Sequence, residues 1–137
     1  MPRGDFGYTY VGGRAGNKPA DADKRKIIAA CDRLVSEVLR PHYLPTVEQT
    51  EFNYPVDIYG KWHGNKYRFL VRYRSGFADN RGEEFDVPFA RIEYVAPDLF
   101  DISWHRHTGE WFRLYQRLTF EEALRLVGEG GLLAPVV

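Results

Sequence analysis

The sequence is short of the features that make a small chain covalently rigid, membrane-bound or strongly charged. Cys31 is the single cysteine among 137 residues, which excludes an internal disulfide and fits a reducing compartment. No apolar run approaches the roughly 18 residues of a membrane span, and the first residues lack the apolar core of a secretory signal. Charge of one sign is not in excess: 19 basic and 19 acidic residues cancel, so no global field draws in nucleic acid or an anionic membrane. Any electrostatic role must come from local segregation of charge. The expectation is a cytoplasmic protein with no membrane partner.

Catalytic patterns are equally scarce. Ser36, Ser75 and Ser103 stand in no nucleophile elbow. Cys31 lies on an apolar helical stripe, the setting of an inert thiol. The stretch from Gly12 to Pro19 lacks the glycine spacing of a phosphate loop and the Ser or Thr after Lys18. A non-enzymatic role is therefore the first expectation, and no cofactor is expected.

What is present is an ordinary globular balance, 44% apolar and 28% charged, in a length suited to one core. Residues 1–20 hold Gly4, Gly7, Gly12, Gly13 and Gly16 with Phe6, Tyr8 and Tyr10 among them, and read as a flexible or docking arm. Residues 21–131 read as one α+β domain, and 132–137 as an apolar tail.

From about Asp21, Ile27, Ala30, Cys31, Leu34, Val35 and Val38 recur at helical spacing. Asp21 or Asp23 is placed to cap this helix. Pro41 is expected to end it near Leu39 or Arg40, because the residue before proline avoids helical geometry. Residues 41–54 read as a connection.

Residues 55–74 predict a hairpin about Gly64-Asn65. The register sets Trp62 against Tyr67, Gly60 against Phe69, Ile58 against Val71 and Val56 against Tyr73, all on one face. The other face carries Asp57, Tyr59, Lys61, His63, Lys66, Arg68, Leu70, Arg72 and Arg74. A loop from Ser75 to Asp86 leads to a strand over Val87–Val95, apolar on both sides and so expected to be covered on both faces. A strand over Leu99–His105 and another over Glu110–Leu118 follow. A three-residue loop with Gly109 in the left-handed position sets Trp104 against Phe112 and Ile102 against Leu114. It sends Asp101, Ser103, His105, Trp111, Arg113 and Tyr115 to the opposite side. Thr119 to Glu122 is a capping box opening a helix with Phe120, Ala123, Leu124 and Val127 inward.

These elements predict an α+β two-layer sandwich: a five-stranded antiparallel meander sheet flanked in sequence by an N-terminal and a C-terminal helix packed on one face. The element order resembles the frataxin-like fold, whose members act in iron handling through an acidic first helix. The first helix here carries as many basic as acidic residues, so no activity follows from that likeness.

The outward face is the main functional candidate. Tyr59, Lys61, His63, Lys66, Arg68, Arg72 and Arg74 on the first hairpin, with His105, Trp111, Arg113 and Tyr115 on the second, form a cationic surface set with aromatics. Arginine and aromatic side chains dominate protein-interface hot spots and also make stacking platforms for single-stranded nucleic acid. The first reading is a non-enzymatic accessory module that binds a protein partner or larger complex through this face and its terminal arms. The alternative is an RNA or single-stranded DNA binder. A third candidate is a metal-dependent enzyme at His105 and His107, which at i and i+2 on a strand point the same way, with Glu110 or Asp101 as a third ligand.

Overall fold

Helical and strand periods alternate along the chain in the order that a two-layer fold requires, and the structure, a computed structural model, describes residues 17–45 and 48–137. The first sixteen residues of the expected arm lie outside the described residues. Helix α1 (Asp21–Leu34) runs into a π-helical turn (Val35–Leu39) and a short α2 (Arg40–Tyr43). Then come β1 (Asn53–His63), β2 (Lys66–Ser75), β3 (Glu84–Ala96), β4 (Leu99–His105), β5 (Trp111–Leu118) and α3 (Phe120–Glu129). The strands form one sheet in the order β1-β2-β3-β4-β5, each antiparallel to its neighbour.

Both long helices lie on the same face. Ile27, Cys31, Val35 and Leu39 from the first helical segment and Ala123 and Val127 from α3 share one buried cluster with Ile58, Tyr67, Phe69, Val71, Ile92 and Ile102. Leu133, in a 3-10 turn after α3, joins them. Each large apolar side chain buried here contributes about 1.5–3 kcal/mol before chain entropy is subtracted. The fold is the α+β sandwich that the sequence predicts, and among the described residues no helix packs on its second sheet face, here called the open face.

The first helix departs from expectation at both ends. Ala20 occupies the N-cap without a side-chain bond, while Asp21 and Asp23 sit in the first turn, where their charge complements the helix dipole. At the other end the chain stays helical through Pro41 to Tyr43. Proline is disruptive because its ring meets the carbonyl four residues back; here that carbonyl belongs to the wider π turn just before it. The extra residue in that turn also rotates the stripe, so Leu39 is buried and Val38 is exposed.

The hairpin about Gly64 has the expected register from Ile58 to His63. Gly64 alone supplies a positive φ, 66°, as the first central position of a type II′ turn does. Nearer the start of β1, Val56 is an extra residue, so Pro55 rather than Val56 faces Tyr73. On β5, Trp104 faces Phe112 as expected, but Ile102 faces Tyr115 rather than Leu114, which is the extra residue there. The capping box is present: Glu122 N–H donates to the Thr119 hydroxyl at 3.1 Å and Thr119 N–H to the Glu122 carboxylate at 2.9 Å.

Among the described residues, helices cover β3 on one face only. It starts earlier than expected, at Glu84, which shortens the preceding loop to 76–83. Its apolar excess has another cause: Leu70 pairs with Pro88 and Phe69 with Ala90, leaving Phe89 as a bulge. Phe89 and Ala90 are both buried in the helix-side core, as two residues opposing one in a bulge allow.

Candidate functional site

On the open face, alternation along each strand brings charged residues into rows that cross the sheet. The bulges divide these rows into two halves of different character. At the end of β2 nearer the 76–83 loop, acids and bases match. Arg72 donates to Asp86 at 2.9 Å and Arg74 to Glu84 at 2.9 Å. The Tyr59 hydroxyl also donates to Asp86, at 2.6 Å, while the Arg72 guanidinium lies 5.0 Å from the Tyr59 ring. Arg40, reaching in from α2, donates to Asp57 at 3.1 Å. The Arg72 bond holds the Asp86 carboxyl below its ordinary range, and the bond to Asp86 holds the Tyr59 phenol above its own. This half is neutralised within the sheet.

The other half is not. Lys61 faces Arg68, Arg68 faces Arg91, Arg91 faces Ser103 and Ser103 faces Arg113, so one row crosses all five strands. Arg113 has a partner, Asp101, at 3.5 Å. Lys61, Lys66, Arg68 and Arg91 take part in none of the ion pairs among the described residues. The Nε atoms of Arg68 and Arg91 are both buried and have no hydrogen-bond partner among the described residues. Lys66 instead donates to the side-chain oxygen of Asn65 at 3.0 Å. Burial and the neighbouring Arg68 and Arg113 lower the pKa of Arg91, although Glu93 opposes the shift. Burial lowers the Lys66 pKa as well, and His105 is shifted down by burial and by Arg68 and Arg91.

Aromatic groups border this row, but their faces are in use. The Arg91 guanidinium stacks 4.3 Å from the Trp111 ring, and His105 meets the same ring edge-on at 4.8 Å. Leu70 is buried on this side although outside the core cluster, between Arg68 and Arg72 along β2 and between Tyr59 and Pro88 across it. Beside the cationic row, Lys66 faces Glu93 and Glu93 faces Asp101. Burial raises the Asp101 pKa, against the opposing effects of the Arg117 N–H and Arg113.

Of the sequence candidates, Lys61, Lys66, Arg68, His105, Trp111 and Arg113 thus share the un-neutralised half, with His63 at its hairpin end opposite Lys66. Tyr59, Arg72 and Arg74 belong to the neutralised half. Tyr115 is in register with the core residue Ile102, so the bulge at Leu114 separates it from Trp111 and Arg113. His105, His107 and Glu110 do not gather: among the described residues no three His, Cys, Asp or Glu side chains are placed to hold a metal. His105 packs on Trp111, while His107 and Glu110 are exposed at the turn. Arg91 was missed. Its signal was the alternation Ala90, Ile92, Tyr94 inward, which sends Arg91 and Glu93 outward.

A family model described as Domain of unknown function (DUF3024) matches residues 19–132. The chain belongs to the DUF3024 family. That span takes in every described strand, both long helices and the whole cationic row, so the row lies inside the DUF3024 domain itself. No curated protein and no solved structure matches the chain. Among the described residues no helix is long and apolar enough to cross a membrane.

Proposed function

We propose that this DUF3024 protein is a non-enzymatic accessory module of a cytoplasmic assembly, binding a protein partner through the open face of its sheet. The observation that carries the reading is Arg68 set directly against Arg91, with both Nε groups buried and unpartnered among the described residues. Like charges directly opposite one another destabilise an isolated strand pair. A buried donor left without an acceptor costs about 1–3 kcal/mol. A partner that brings carboxylates to this face relieves the repulsion, and a half-buried arginine stacked on a tryptophan combines the residue types on which interface affinity concentrates.

A second reading, single-stranded nucleic acid, draws support from the cationic row. Its stacking element is weak, because Trp111 and Tyr59 each already carry an arginine on the ring.

The test is purification of the tagged protein from its native source, with the partner identified by mass spectrometry and reassembled from pure components. The complex is expected at fixed stoichiometry and is expected to dissociate in an Arg68→Gln/Arg91→Gln variant. A native protein that runs alone as a monomer, or a partner retained equally by the double variant, would overturn the reading.

A further inference from the structure

We infer that the partner presents an extended acidic segment, lying across the strands along Lys61, Arg68, Arg91 and Arg113, with one carboxylate seated between Arg68 and Arg91. The inference rests on the reading of this face as a protein-binding surface and adds the chemistry of what binds there.

Direction comes first. The row runs perpendicular to the strands from one sheet edge to the other. At the usual strand spacing it is roughly 19 Å long. An extended peptide places alternate side chains about 7 Å apart on one side, so three same-side carboxylates fit within the row. Ser103 is its one small member and stands between Arg91 and Arg113.

The choice of carboxylate follows from the surroundings. Arg68 and Arg91 offer planar guanidinium forks, which match a carboxylate in a bidentate arrangement. Stacking on Trp111 holds the Arg91 fork in place, so little of its freedom remains to be lost on binding. The adjacent row holds Glu93 and Asp101 on the same face. A phosphodiester chain carries charge at every unit and meets these two acids wherever it strays from the row. A peptide with neutral residues between its acids does not. The covered rings of Trp111 and Tyr59 remove the compensation that base stacking gives a nucleic acid.

The experiment uses a fluorescein-labelled peptide of alternating glutamate and serine and, as comparison, a labelled oligouridylate of equal charge, both titrated by fluorescence anisotropy. The peptide is expected to bind, to weaken as salt rises, and to lose about thirtyfold or more in affinity in Arg68→Gln/Arg91→Gln, the range seen when one side of a buried charge pair is removed. Arg91→Lys, which keeps the charge and loses the fork, is expected to fall between. A charge-matched control, Arg25→Gln/Arg125→Gln on the helical side, is expected to bind as the parent does. Thermal melts establish that the variants fold. Equal binding by parent and double variant, or oligouridylate binding as tightly as the peptide, would overturn the inference. If neither probe binds while the native partner still depends on Arg68 and Arg91, the acidic segment is refuted and the binding module stands. If no native partner depends on them, both fall.

Discussion

The hydroxyl of Tyr67, on β2, donates to the carboxylate of Asp32, on α1, at 2.5 Å. It reaches the helix by passing over Gly60 of the neighbouring strand, where a Cβ would lie 2.1 Å from the tyrosine oxygen and from its ring. Sheet and helix are tied by a polar bond whose path exists because one residue of β1 has no side chain. Gly60→Ala must therefore displace a fully buried ring, and overpacking of this kind costs about 1–3 kcal/mol. Urea denaturation measures the loss. An unchanged midpoint would mean that the ring moves aside freely, and with it the tie to Asp32.

The same contact makes stability fall in alkali. Burial, then the bond to Asp32, raises the Tyr67 phenol well above its ordinary 10.0. Burial, then the charge of Asp32, raises the Cys31 thiol above 9.0. In both cases the unfolded chain releases its proton at lower pH than the folded one. Their contribution is present in full below pH 9 and is lost as pH rises toward the folded values. Urea midpoints are expected to decline from pH 9 upward, less steeply in Tyr67→Phe. A flat profile to pH 11 would contradict the burial of these two groups.

Removing one member of the opposed cation pair is expected to stabilise the free protein. Arg68→Gln should raise the unfolding free energy by about 0.2–1 kcal/mol at low ionic strength, and the gain should shrink in molar salt. A loss of stability would show that the packing of the arginine stem contributes more than its charge costs.

The capping box of α3 gives a local test. Thr119→Ala removes the acceptor for the Glu122 N–H and is expected to cost about 0.5–2 kcal/mol. Because α3 buries Ala123 and Val127 in the shared core, the loss should appear as a shift of the single cooperative transition. Fraying of α3 alone, seen by hydrogen exchange without a change in the midpoint, would show that the helix is not coupled to the sheet.

Legibility in the sequence followed the range of the interactions. The Gly64 turn, the Gly109 turn and the Thr119 cap were readable because each is settled by a few neighbouring residues. The extra residues at Val56, Phe89 and Leu114 were not, since a bulge answers to how two layers fit and not to any local preference. The first accounts for the misplacement of Val56 and the last for that of Tyr115. The split between paired and unpaired cations was hidden too, because Glu84 and Asp86 looked like loop residues until β3 was extended to include them. Arg91 lay within reach of simple alternation but sat in a stretch whose apolar content suggested a strand covered on both sides.

The bulge at Phe89 has a consequence for how this surface tolerates change. Before it, Glu84, Asp86 and Pro88 point to the open face; after it, Arg91 and Glu93 do. Even-numbered residues give way to odd-numbered ones at a single position. An uninterrupted strand could place Asp86 or Arg91 on that face, but never both. Deletion of Phe89 would therefore act on every residue to one side of it at once, turning Phe85 and Val87 outward and two carboxylates toward the core, a harm that no substitution at position 89 can equal. Lineages of this domain should accordingly vary the identity of that residue far more readily than the length of β3.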